Sequence, residues 1–104
     1  MLECIAEWVS QNRQYLTQKG IELRAPGVST GSKNNSSHLE MISPSGEYLL
    51  QVWESGDADL AFVDLTVDGP HVESSHLSLT SPDAIVLKLE HMAEHLLQLN
   101  RTAG

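Results

Sequence analysis

The sequence predicts an α+β domain of two layers, an N-terminal helix, a four-stranded antiparallel meander and a C-terminal helix. Three observations predict it. Apolar residues recur at helical spacing at both ends of the chain, the period changes to two between them, and Gly, Pro, Ser and Asp cluster at short regular intervals inside that middle region. A chain of 104 residues encloses one core, so residues 1–104 are read as a single domain.

The first helix is written in residues 2 to 19, "LECIAEWVSQNRQYLTQK", where Leu2, Ile5, Val9 and Leu16 fall on one side, with Trp8 and Tyr15 beside them. Lys19 suits the negative end of the helix dipole, and Gly20 is the expected stop. "IELR" then reads as a short extended piece, and residues 25–36, rich in Gly, Ser and Asn and without periodicity, read as an exposed loop. Four strands follow: "SHLEMIS" up to the turn "PSGE", "YLLQVWE" up to "SGD", "ADLAFVDLTV" up to "DGP", and "HVESSHLSL". Turns this short join antiparallel neighbours. In the third strand Ala61, Val63, Leu65 and Val67 share one face with Asp59, and Leu60, Phe62, Asp64 and Thr66 share the other. Both faces are partly apolar, so one is expected beneath the helices and the other only partly wetted, which makes it a binding surface. The last helix opens with Ser81 as N-cap, Pro82 at the first helical position and Asp83 in the first turn. Ile85, Leu89, Met92, Leu96 and Leu99, widened by Val86, Ala93 and Leu97, form its apolar stripe, and Lys88, Glu90, His91, Glu94, His95 and Gln98 its polar face.

Charge narrows the function. The net charge is −8, and between Lys33 and Lys88 stand nine acids with no Lys or Arg. Such a surface repels phosphate backbones, so nucleic acid is not an expected partner. An acidic surface also serves solubility alone. No apolar run approaches the ~20 residues of a membrane span, and Glu3 and Glu7 interrupt the N-terminal apolar positions, so neither a membrane partner nor a signal peptide is expected. The single cysteine, Cys4, excludes an internal disulfide and reads as a small buried helix residue. The chain is accordingly expected to start at Met1 and to remain in the cytoplasm.

Catalytic equipment is missing from the sequence. "VSTGSK" resembles the end of a phosphate-binding loop but lacks the first glycine at the required spacing, and there is no G-x-S-x-G elbow. His91-Met-Ala-Glu-His95 fits the H-x-x-E-H zinc-protease pattern, in which two imidazoles one helical turn apart reach one metal. That chemistry also needs a third ligand and a cleft, and both histidines are placed on the polar face of the last helix. No metal, cofactor or enzymatic activity is expected, and a binding protein is the reading left.

The segment "YLLQVWESGDADLAFVDL", the strand after it, the helix "SPDAIVLKLEHM" and the opening "EWVSQNRQYLTQKGIEL" together resemble the TriTu family of bacterial immunity proteins, over about residues 3 to 99. The most specific piece is Val52-Trp53-Glu54-Ser55-Gly56 followed by an acid and a short apolar strand. The resemblance implies a cytoplasmic protein that binds and neutralises a TreTu-like toxin domain. That toxin is similar to ADP-ribosyltransferases, is carried at the C-terminus of a polymorphic Rhs-type effector, and uses NAD to modify elongation factor Tu. A cleft that holds the NAD pyrophosphate presents cationic and donor groups, which an acidic surface occupies as a decoy. The expected partner-binding residues are Trp53, Glu54, Ser55, Asp57, Asp59 and Asp64, with the carboxylates steering association and Trp53 as aromatic anchor. Trp53 admits a second placement, in the core beneath a helix, and Gly56 serves turn geometry in either case. The alternative function is a small acidic adaptor or chaperone for a secreted effector, bound outside the toxin's active site.

Overall fold

The computed structural model describes residues 1–29, 35–69 and 71–103. The element order is α1 (Glu3–Gln18), β1 (Glu22–Ser29), β2 (Ser36–Ser43), β3 (Gly46–Trp53), β4 (Asp57–Asp64), β5 (His71–Ser78) and α2 (Pro82–Ala103). The α+β, two-layer reading holds, with one strand more than expected. The five strands form a single antiparallel sheet in chain order.

The additional strand is β1, which occupies much of the segment read as a loop. Residues 25–29 and Ser36 lie in paired strands, and residues 30–34 fall outside the described residues. The pairing runs Arg24↔Glu40 and then Gly27↔His38, so β1 holds one extra residue there. A bulge of this kind interrupts side-chain alternation, and Pro26 cannot donate to a ladder. The segment therefore carries no period of two for a sequence reading to detect.

Both helices end as their chemistry requires. At the close of α1 the Gly20 N–H donates to Thr17 O at 3.1 Å and the Ile21 N–H to Leu16 O at 2.9 Å, with Gly20 at φ +85°. This is a Schellman motif, and the apolar contact that accompanies such motifs comes from Leu16 and Ile21, both buried. At the start of α2 the Ala84 N–H donates to Ser81 Oγ at 3.1 Å, the expected N-cap bond.

Alternation along the strands divides the sheet into two faces. Leu23, Leu39, Met41, Leu50, Val52, Ala58 and Leu60 are buried with Ile5, Trp8, Val9 and Leu16 of α1 and Ile85, Leu89, Met92 and Leu96 of α2. Each fully buried side chain of this size contributes roughly 1.5–3 kcal/mol, so packing rather than helix propensity holds the helices in place. α1 packs on β1 and α2, and α2 on β2 and β3. The helix layer thus stops short of β5, where every side chain from His71 to His76 is exposed. Among the described residues no helix is long and apolar enough to cross a membrane.

Candidate functional site

The face of the sheet turned away from the helices follows directly from register. Paired residues of antiparallel strands share a face. One row across it reads Ile42, Glu47, Val63, Val72, the next Glu40, Leu49, Ala61, Ser74, and a third His38, Gln51, Asp59, His76. Leu49 is 43% exposed and Val72 57% exposed, and Ala61 and Val63 are partly exposed between them. Two shallow concavities meet on this face at Leu49 and Ala61, one of about 440 Å³ reaching Asp59 and His76 and one of about 280 Å³ reaching Glu40 and Glu47. The open face is therefore an apolar strip with carboxylates along it.

Trp53 ends β3 one residue after the buried Val52, and alternation turns it to this open face, where it is half-buried. It takes no part in the core, whose tryptophan is Trp8, 5% exposed. The turn beyond it, Glu54-Ser55-Gly56, is closed by the Gly56 N–H donating to Trp53 O at 2.9 Å and tied to the start of β2 by the Glu54 N–H donating to Asn35 O at 2.7 Å. Gly56 has φ +95°, and a Cβ there would sit 2.7 Å from Thr80 Cγ2 and 3.1 Å from Thr80 Cα. A three-residue hairpin loop that finishes in a left-handed residue needs glycine on conformational grounds, and here the close approach of Thr80 adds a second reason. Ser55 Oγ donates to Asp57 Oδ2 at 3.2 Å and accepts from the Asp57 N–H at 3.4 Å, which orients the first acid of β4.

The acids of this end are not isolated, as a reading of the segment alone suggests. His76, across on β5, places Nδ1 2.9 Å from Asp59 Oδ1 and Nε2 3.5 Å from Asp57 Oδ1. The hydrogen bond to Asp59, followed by that to Asp57, raises the imidazole above its ordinary range. Protonated, the ring donates to both carboxylates at once. His76 was legible only to the extent that register was: a loop closing Asp64 onto His71 carries Asp59 opposite His76, and no local motif marks that pair.

Asp64 lies apart from the others. It ends β4, about 20 Å along the strand from Asp57, and its side chain falls on the helix side of the sheet, in the row of Gly46 and His71. There Oδ1 accepts from the Thr66 N–H at 2.9 Å and from Thr66 Oγ1 at 2.5 Å, bonds that hold its carboxyl below the usual range. Asp64 shapes the chain as it leaves β4. Of the six expected partner-binding residues, Trp53, Glu54, Ser55, Asp57 and Asp59 are brought together at one end of the β3–β4 hairpin.

The histidines of α2 part company. His91 is exposed, whereas His95 leaves the polar face to which its spacing assigned it and packs on the sheet. Its Nδ1 shares a hydrogen bond of 2.6 Å with the Tyr48 hydroxyl, and its ring centroid lies 4.9 Å from that of Phe62. The partner Tyr48 is raised above its ordinary range by burial first and by Glu73 second. The cause is the width of the apolar stripe: a helix lying on a sheet also seats the residues that flank its stripe. Among the described residues no group of three or more His, Cys, Asp or Glu side chains is placed to hold a metal ion. Burial pushes the Cys4 thiol up, the opposite of what an activated nucleophile needs.

A larger groove of about 820 Å³ opens at the far end of the sheet, between Gly20, Ser45, Leu65 and Asn100. Its polar groups are engaged with each other, Ser45 Oγ donating to Asn100 Oδ1 and Asn100 Nδ2 donating to Lys19 O at 3.4 Å. It joins turns and helix ends and gathers no set of acid, base and nucleophile. Comparison of the chain with protein-family models, with curated proteins and with solved structures finds no match.

Proposed function

We propose that this protein is a TriTu-type immunity protein, which binds a TreTu-like ADP-ribosyltransferase toxin domain one to one in the cytoplasm and covers its NAD cleft. The observation that carries the reading is the uncovered sheet face, where Leu49, Ala61, Val63 and Val72 lie beside Glu40, Glu47 and Asp59, with Trp53 and Asp57 at its end. Five strands of eight residues, spaced by about 4.8 Å and rising about 3.3 Å per residue, give a face of roughly 600 Å² in projection. With the turn at Glu54 added, that approaches the ~800 Å² which each partner contributes to a stable protein complex. The mixture also suits the task. Apolar side chains supply affinity, Trp53 is the kind of aromatic group that dominates interfaces, and the carboxylates meet the cationic groups of a cleft built for pyrophosphate.

Binding of the toxin domain by the wild type, by Leu49→Lys and by the pair Asp57→Lys with Asp59→Lys, measured calorimetrically, tests this. Each change is expected to weaken binding by at least about thirtyfold, the loss that follows removal of an interface anchor. Unchanged affinity in both would remove the open face from the complex. Tight binding that leaves the toxin active would instead describe an adaptor docked outside the active site.

A further inference from the structure

The two edges of the sheet are protected very differently. β1 carries Arg24, Pro26 and a register shift, and α1 packs against it. Charge, proline and a bulge are the features that keep an edge strand from pairing with another chain. β5 has neither proline nor bulge, and Glu73 is its one carboxylate. It is eight residues long without Pro, Gly, Lys or Arg, its pairing with β4 is regular throughout, and its side chains are exposed from His71 to His76.

The backbone groups that face outward follow from two hydrogen bonds at the ends of the ladders. Leu79 N–H donates to Gly56 O at 2.7 Å, and Leu65 N–H donates to Ser45 O at 3.1 Å. In an antiparallel ladder bonded pairs recur at every second residue. From the first bond the bonded pairs between β4 and β5 are Ala58–Leu77, Leu60–Ser75, Phe62–Glu73 and Asp64–His71. The second assigns Asp59, Ala61 and Val63 to β3, which leaves the same four β4 residues for β5. Val72, Ser74, His76 and Ser78 therefore point N–H and C=O away from the sheet, and no group among the described residues pairs with them.

We propose that the β5 edge is an acceptor for an extended cationic segment of the partner protein, added antiparallel or parallel as a sixth strand through Val72, Ser74, His76 and Ser78. This rests on the partner-binding reading of the open face and deepens it, since the side chains of these four residues lie on that face and a sixth strand would extend it. Charge selects the occupant. Across β4, β5 and residues 65–69 stand Asp57, Asp59, Asp64, Asp68 and Glu73 with no Lys or Arg. A second copy of this chain would bring the same acids against them, whereas a segment with Lys or Arg at alternate positions sets its cations on one face, beside Asp57 and Asp59 or, in the other register, beside Glu73 and Asp64. Main-chain bonds supply affinity in such additions and the alternate side chains supply selectivity.

The test uses an eight-residue blocked peptide of alternating Lys and Val, matched to the length of β5, titrated into isotope-labelled protein with amide resonances followed by NMR. Saturable shifts centred on the amides of Val72, Ser74, His76 and Ser78 are expected. The same peptide N-methylated at every residue, and a Glu and Val counterpart, are expected to leave those amides unmoved. Ser74→Pro removes only an outward N–H and spares the ladder to β4, and it is expected to weaken peptide binding at least about tenfold while Leu87→Ser, on the exposed side of α2, does not. Absence of shifts at the four amides, or equal binding of the N-methylated peptide, overturns the proposal. So does a free protein that sediments as a dimer with these amides already protected from exchange, which makes a second copy the occupant. If the peptide fails while the toxin domain still binds, edge addition falls and the immunity reading stands. If the peptide binds and the toxin domain does not, only the immunity reading falls.

Discussion

His76 holds its proton more tightly in the folded protein than in the unfolded chain, because Asp59 and Asp57 accept from its two ring nitrogens. A group raised in this way stabilises the fold fully below its unfolded pKa, and the contribution is lost as pH rises through the folded value. Wild type is therefore expected to lose stability relative to His76→Ala as pH is raised from about 5 to about 8, with a small amplitude because all three groups are exposed. Chemical denaturation at a series of pH values measures it, and a constant difference between the two proteins would contradict the bridge. Gly56 makes a stronger prediction. Gly56→Ala places a side chain in a left-handed conformation that costs about 1–2 kcal/mol, and its Cβ meets Thr80 at 2.7 Å besides. A loss of roughly 2–4 kcal/mol in unfolding free energy is expected, whereas a loss below about 0.5 kcal/mol would mean that the turn adopts another conformation without difficulty.

At the scale of elements the helices hold the sheet through their buried stripes and their caps. Leu89 is fully buried in the centre of α2, and Leu89→Ala is expected to cost about 2–5 kcal/mol. Ser81→Ala removes the bond to the Ala84 N–H and is expected to cost about 1 kcal/mol, so the two together separate packing from capping in one denaturation series. Both features are readable in the sequence, because a stripe at 3.6-residue spacing and a Ser-Pro-Asp start are local signals. The meander from Ser36 to Ser78 is readable for the same reason, its turns being marked by Gly, Pro and Ser. β4 nonetheless ends at Asp64, short of the Val67 to which alternation carries it, and the connection from there to His71 is longer than expected. β1 escapes because its bulge and Pro26 break the alternation that identifies a strand. Trp53, Glu54, Ser55, Asp57 and Asp59 are contiguous in sequence and so stay together in space. Asp64 does not join them, since seven residues of extended chain with an odd shift move a side chain to the other end and the other face. His76 and His95 acquire their partners across strands and across layers, contacts that register and packing decide and that no local pattern contains.

Over the whole molecule the helices cover one face of the sheet, and carboxylates outnumber cations along the other, countered among the described residues by Arg24 beside Glu40 and by His76 beside Asp59 and Asp57. An interface of that composition makes association faster than diffusion of neutral partners allows, and salt removes the advantage. Binding of the toxin domain is expected to slow at least about tenfold in association rate between low salt and physiological ionic strength, with dissociation little changed. The measurement that bears most directly on the central proposal follows NAD-dependent modification of elongation factor Tu by a TreTu-like toxin domain against the molar ratio of this protein. Inhibition that grows linearly and is complete at one equivalent, and that is lost in the Asp57→Lys, Asp59→Lys pair, is the result predicted for a stoichiometric cover of the cleft. Modification that continues at full rate in a saturated complex, or that is abolished by far less than one equivalent, would contradict it.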